Sequence, residues 1–273
     1  MRRCTVLGAS GYIGRHLAER LRSQGWDCRT PARHDPAVWH EDLGVVFYCV
    51  GLTSDFRSRP LDTVQAHVGL LHDVLKQARF ERLVYLSSTR VYLGAEDTAE
   101  DQALRTDAQN PDDLYKLSKL MGESLVLHGG RPGVVARLSN VVGGQGGNPD
   151  SFIYSLVAEA RQGHILLRTD PESAKDYVHV DEVTLALSQL ADGGTHKLYN
   201  LAGGAQITHR QWVERLSALT GCTWAVAPAA PRLVQSPIQI DRLSHERGYV
   251  PRSRATLLQS ALDAALSFSP LSH

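Results

Sequence analysis

Apolar residues in the first half of the chain follow two alternating rhythms. Short, nearly continuous runs predict buried strands: CTVLG at the start, LGVVFYCVG over 43–51, RLVYLSS over 82–88 and GVVARLS over 133–139. Between the first two, Ile13, Leu17, Ala18 and Leu21 recur at helical spacing, which predicts a helix over 11–23 that Gly25 ends. WDCRT predicts a weaker second strand, and further helices are expected over 64–78 and around Tyr115. Strands and helices that alternate in this way imply an α/β fold, a doubly wound parallel sheet covered on both faces.

Beyond Asn140 the rhythm loosens. VVGGQGGNPD is a glycine-rich loop of the kind found near ligands, and helices are expected over 152–161, 183–190, 209–219 and 253–266, with short strands such as DYVHV between them. The expected organisation is one integrated unit. A nucleotide-binding part covers 1–140 with parts of 175–200, and a small C-terminal substrate-binding lobe is drawn mainly from 141–273.

Composition narrows the classes of function. Basic and acidic residues both number 29, so nothing favours a nucleic acid or an anionic membrane as partner. No apolar run approaches the roughly 20 residues needed to cross a bilayer. Cys4, Cys28, Cys49 and Cys222 are scattered without zinc or redox spacing, so no metal is expected, the thiols read as small buried residues, and a reducing cytoplasm is the default location.

GASGYIG, residues 8–14, spaces its glycines three apart between a strand and a helix. That placement suits a dinucleotide pyrophosphate: the turn brings backbone close to the anion, and the helix start offers free N–H groups and the positive end of its dipole. Gly8, Ser10, Gly11, Tyr12, Ile13 and Gly14 are therefore candidate cofactor contacts. Val50 and Gly51 join them at the C-terminal end of a central strand. The second strand ends in Ala32 and Arg33 with no carboxylate to hold a ribose 2′-hydroxyl. Arg33, helped by Arg15, is the candidate for gripping a 2′-phosphate, so NADP(H) is preferred over NAD(H).

PDDLYKLSK sets Tyr115 four residues before Lys119, on one helix face. An ammonium beside a phenol favours the phenolate, and the aspartate-rich start places Tyr115 near the positive end of the helix. Upstream, SSTRVY ends a strand in hydroxyls, where a serine can hydrogen-bond a substrate carbonyl.

GASGYIG, SSTRVY and YKLSK, in that order, resemble the extended short-chain dehydrogenase/reductase family of nucleotide-sugar epimerases, dehydratases and ketoreductases. LTSDFRSRP, RLSNVVG, KDYVHVDEV and YNLAGG resemble further blocks of that family, so the likeness covers nearly the whole chain. The resemblance implies a Rossmann-like fold. It makes Ser88 the catalytic hydroxyl, Tyr115 the general acid/base and Lys119 the residue that holds the nicotinamide ribose and tunes the tyrosine. It also implies a nucleotide-sugar substrate met by Thr53, Ser88, Thr89, Arg90, Asn140 and Lys175, and a homodimer through a four-helix interface.

Departures from the family pattern refine this. Dehydratases of the family carry an Asp-Glu pair where this chain has Thr89 and Arg90, which argues against elimination. Only 30 residues separate Gly14 from Val45, so the third strand is expected to be missing or vestigial. The segment around Asp42 is then the candidate left for the adenine. His67 stands where the family usually has asparagine. The expected activity is NADPH-dependent reduction of a nucleotide-linked keto sugar of the 4-keto-6-deoxyhexose type. The alternatives are an NAD-dependent sugar 4-epimerase and a non-catalytic NADP-binding regulator.

Overall fold

The computed structural model describes residues 1–53, 55–147 and 151–268; residues 148–150 of the glycine-rich loop lie outside these. The chain opens with β1 (Arg3–Leu7), α1 (Tyr12–Ser23) and β2 (Asp27–Arg29), then a single turn α2 (Ala37–His40) and β3 (Val45–Tyr48). The helix expected over 64–78 is divided into α3 (Pro60–Val64), a π-helical turn at Gln65–Gly69, and α4 (Leu70–Gln77). β4 (Arg82–Ser88) runs into a 3-10 turn, Thr89–Tyr92, and is followed by α5 (Asp113–His128) and β5 (Gly133–Leu138). The second half supplies β6 (Asn140–Val142), α6 (Phe152–Ala160), β7 (His164–Leu167), β8 (Ala174–His179), α7 (Val180–Leu190) and β9 (Leu198–Leu201). β10 (Gln206–Thr208), α8 (His209–Thr220), β11 (Thr223–Val226), α9 (Asp241–Arg247) and α10 (Arg254–Ser267) complete it.

Six strands form one parallel sheet in the order β2-β1-β3-β4-β5-β9. Among the described residues no strand lies outside β2, as the short Gly14–Val45 interval implied. The two-residue period of each strand divides the core. Val84 and Leu86 of β4 face Leu17 and Leu21 of α1 and Leu187 of α7, whereas Leu83 and Tyr85 face Leu71 and Val74 of α4. A separate apolar cluster, centred on Trp212, joins α6, α8 and α10 into the C-terminal lobe.

The π-helical turn is met by hydrogen bonds from the sheet. Its wider coil frees carbonyls, and two buried tyrosines of the sheet take them. Tyr48 donates to Ala66 O at 2.6 Å, and Tyr85 donates to His67 O at 3.3 Å. Gly122 lets α5 close on this turn: a Cβ there would stand 2.3 Å from the Tyr85 hydroxyl and 2.9 Å from His67 O.

Beneath the site, Arg137 on β5 makes a two-pronged ion pair with Glu123 on α5, at 3.0 and 2.7 Å, with both side chains about 95% buried. Ser87 on β4 donates to the same carboxylate at 2.5 Å, and Arg137 donates to the Tyr92 hydroxyl at 2.7 Å. Tyr92 in turn donates to Asn200 of β9 at 2.9 Å. Removing one partner strands a buried charge, so Glu123→Ala is expected to lower stability by about 3–5 kcal/mol in urea unfolding. Glu123→Leu combined with Arg137→Met is expected to recover most of that loss.

Candidate active site

Strand order reverses between β1 and β3, and the crevice beyond their C-terminal ends is where a sheet of this type binds ligand. Gly8 turns the chain there with φ +85°, and a Cβ on it would lie 2.9 Å from the carbonyl carbon of Cys49. Gly11 caps α1 without a side chain, and the first turn of the helix holds no acidic residue. The starting N–H groups around Tyr12, Ile13 and Gly14 thus meet the requirements of a bound pyrophosphate. Ser10 sits in the same turn and is exposed.

Two expected contacts of this turn face elsewhere. Arg15 donates to Gln145 O at 2.6 Å, and the Tyr12 hydroxyl donates to Gly143 O. They tie α1 to the glycine-rich loop, and Arg15 is engaged there rather than at the end of β2. At that end Arg33 is exposed, next to His34 in the left-handed region at φ +67°. Arg22, which carried no expectation in the sequence, donates to the Thr30 hydroxyl at 3.1 Å and so stands beside Arg33's loop. Asp42 is displaced from its expected role. It accepts from Gly44 N at 3.0 Å and pairs its backbone with that of Arg79 just before β3 begins, at the opposite end of the strands from Gly8. Two of the thiols expected to be buried, Cys28 and Cys49, are only partly so.

The structure brings Ser88, Tyr115 and Lys119 together. Ser88 ends β4, and its Oγ caps the 3-10 turn by accepting from Arg90 N at 3.2 Å. Tyr115 and Lys119 lie one turn apart on α5, both buried. Burial pushes the Tyr115 phenol above the ordinary tyrosine range, while the Ser88 hydroxyl, the Arg90 guanidinium and the Thr53 hydroxyl pull it back. Lys119 donates to Leu86 O at 2.9 Å, and burial brings its ammonium down to about 8 against the opposing pull of Glu123. Val50 is partly buried and Gly51 exposed at the mouth of this pocket. A Cβ on Gly51 would lie 3.5 Å from Lys119 Nζ and 3.0 Å from His67 Nε2.

His67, without a reading in the sequence, is built into the same cluster. Its ring meets the Tyr115 ring edge-on at 5.3 Å. Leu52 N donates to Nε2 at 3.3 Å, so Nε2 carries no proton; Nδ1–H then donates to Ser118 Oγ at 2.8 Å, and Ser118 donates to Tyr115 O at 2.8 Å. The kinked helix, the loop after β3 and α5 are thereby joined through one neutral imidazole.

Beside the phenol, Arg90 stacks 4.8 Å from the Tyr115 ring and 5.2 Å from Phe56, with Thr53 O at 3.5 Å from Nη1. Thr89 is half-buried beside it. Asn140 is exposed, and its Nδ2 donates to Asp176 O at 2.8 Å. Lys175 lies 5.9 Å from the Phe152 ring, and burial together with the charge of Arg90 lowers its pKa. Arg90 and Lys175 are thus close enough for one charge to act on the other, and together they favour an anionic ligand.

The family model described as "NAD dependent epimerase/dehydratase family" matches residues 4–202. The chain is 28% identical over 207 residues to dTDP-4-dehydrorhamnose reductase of Mycobacterium tuberculosis, which covers 70% of this chain and 66% of that protein. It is 24% identical over 283 residues to UDP-glucose 4-epimerase of Streptococcus mutans, covering 83% and 84%. Among solved structures, RMD from Pseudomonas aeruginosa complexed with NADPH aligns with TM-score 0.79 at 23% identity, over 97% of this chain and 100% of that one.

Burial holds His67 neutral, with Lys119 adding to the effect, down to about 2. The unfolded imidazole takes up a proton near 6.5, so the folded state loses stability as pH falls below 6.5. From pH 7 to 5 that single group is expected to cost about 2 kcal/mol. His67→Asn should flatten this part of the urea-unfolding pH profile, and an unchanged slope would contradict the assignment.

Proposed function

The chain belongs to the NAD dependent epimerase/dehydratase family, and on that premise we propose that it is an NADPH-dependent reductase of a nucleotide-activated keto sugar, of the 4-keto-6-deoxyhexose type. One observation carries the reading: Thr89 and Arg90 are the residues that follow Ser88, and the Arg90 guanidinium stands 4.8 Å from the centre of the Tyr115 ring. Elimination of water from a sugar needs an acid and a base beside the ring, and the two positions after Ser88 supply neither. The reductase relative and the NADPH-bound structural neighbour agree with this reading in kind.

The nicotinamide, when bound, supplies the hydride. The chain does the rest. The first turn of α1 would hold the pyrophosphate, and Arg33 and Arg22 are the charges that would serve the adenosine ribose. Ser88 and Tyr115 donate hydrogen bonds to the keto oxygen and oppose the charge that develops on it. Tyr115 then gives its proton to the alkoxide, and Lys119, buried between α5 and β4, holds the ribose against the tyrosine. Lys175 and Asn140 are the candidates for meeting a substrate diphosphate. A second reading, NAD-dependent 4-epimerisation, draws on the likeness to the Streptococcus mutans protein across most of the chain.

Purified protein is expected to carry no tightly held NAD and to bind NADPH more tightly than NADH by about tenfold or more, the worth of one charge-assisted contact of about 1.4 kcal/mol. Arg33→Asp is expected to erase that preference. Retained NAD with equal affinities would favour the epimerase. With dTDP-4-keto-6-deoxyglucose as probe, Tyr115→Phe is expected to lower NADPH oxidation by about 10²–10⁴-fold while sparing NADPH binding.

A further inference from the structure

We propose that Arg90 is the cation that sets the acidity of Tyr115, a role that helix spacing alone gives to Lys119. The inference rests on the reading of Tyr115 as the proton donor and adds a residue to it. Its basis is placement. The guanidinium of Arg90 stands 4.8 Å from the centre of the Tyr115 ring, whereas Lys119 Nζ is 6.0 Å away and donates to Leu86 O. Arg90 is fixed there from three sides. Its own backbone N–H is bonded to Ser88, Phe56 packs against its plane, and Thr53 O accepts from it. Among the described residues it forms no ion pair within 4 Å, although its charge reaches Asp112 and, after Arg57, helps to hold that carboxyl below its usual range. The carboxylate at the start of α5, Asp112, is paired with Arg57 at 2.5 Å.

The other groups around the phenol do not compete for the role. His67, from the π-helical turn, is neutral. Ser88 and Thr53 contribute hydroxyls, and Tyr85 of β4 contributes a phenol. Lys119 has an ammonium that burial weakens to about 8. A guanidinium keeps its charge at every pH the fold tolerates. As Tyr115 releases its proton to the alkoxide, the phenolate left behind faces a permanent cation on its ring. A charge within about 4–6 Å shifts such an equilibrium by roughly 1–3 pH units.

The test needs no substrate. The nine tyrosines are replaced biosynthetically by 3,5-difluorotyrosine, whose phenol ionises near neutral pH. The Tyr115 signal is assigned in ¹⁹F NMR by its loss in Tyr115→Phe and titrated in the full-length protein. Arg90→Gln is expected to raise its midpoint by about one unit or more, tenfold in proton affinity. Arg90→Lys should fall between, and Lys119→Met should move it less than Arg90→Gln does. An unmoved midpoint in Arg90→Gln, or a larger shift in Lys119→Met, overturns the proposal. If Arg90→Gln does not fold, the order of wild type, Arg90→Lys and Lys119→Met decides it. Failure of the Tyr115→Phe turnover test would remove the reductase reading and leave this titration standing, so the two can fail separately.

Discussion

Arg137 carries a full charge into the middle of the parallel sheet, and the chain around it is arranged to answer that charge. Glu123 reaches down from α5, Ser87 turns in from β4, and Tyr92 closes the ring from the 3-10 turn and passes the connection to Asn200 on β9. A buried pair of this kind adds little net stability over an apolar replacement. What it does here is index α5 against β4. Glu123 lies one turn beyond Lys119, and Ser87 immediately precedes Ser88, so the carboxylate that satisfies Arg137 also fixes where the lysine and the Ser88 hydroxyl stand. Any slip of α5 along the sheet would break the pair in a low-dielectric setting.

Much of this was legible before the structure, and the reasons are local. Strands of the main sheet are continuous apolar runs because both of their faces are buried. The glycine turn is written in consecutive residues, and Ser88, Tyr115 and Lys119 meet because β4 and α5 are neighbours in the sequence-ordered fold. What could not be read depends on contacts between distant segments. The π-helical turn is invisible in the pattern over 64–78, since the hydroxyls that meet it, from Tyr48 and Tyr85, come from the sheet. Arg15 sits where α1 begins, yet its direction is decided by a loop 130 residues away. Asp42 was drawn towards the cofactor by elimination, and the register of β3 puts it at the wrong end of the strands.

Charge in the site follows one rule. Groups nearest Tyr115 are either neutral, as His67 is, or positive, and two carboxylates near them are paired away, Glu123 with Arg137 and Asp112 with Arg57. Such a setting attracts anionic ligands and suits steps in which negative charge develops on oxygen. It also explains why burying Lys119 is tolerable: its ammonium has a carbonyl to donate to and a carboxylate one turn further along.

The π-helical turn has a consequence for how this chain can vary. Tyr48 and Tyr85 hold the carbonyls it frees, Gly122 leaves room for α5 to close over it, and His67 uses the outward bulge to reach Ser118. None of these residues is adjacent in sequence, yet each presupposes the others. A phenylalanine at either tyrosine would orphan a carbonyl, and an alanine at Gly122 would push the helices apart. Substitutions at these positions are therefore coupled rather than additive. In related chains the histidine, the two tyrosine hydroxyls and the glycine should be inherited or lost as a set.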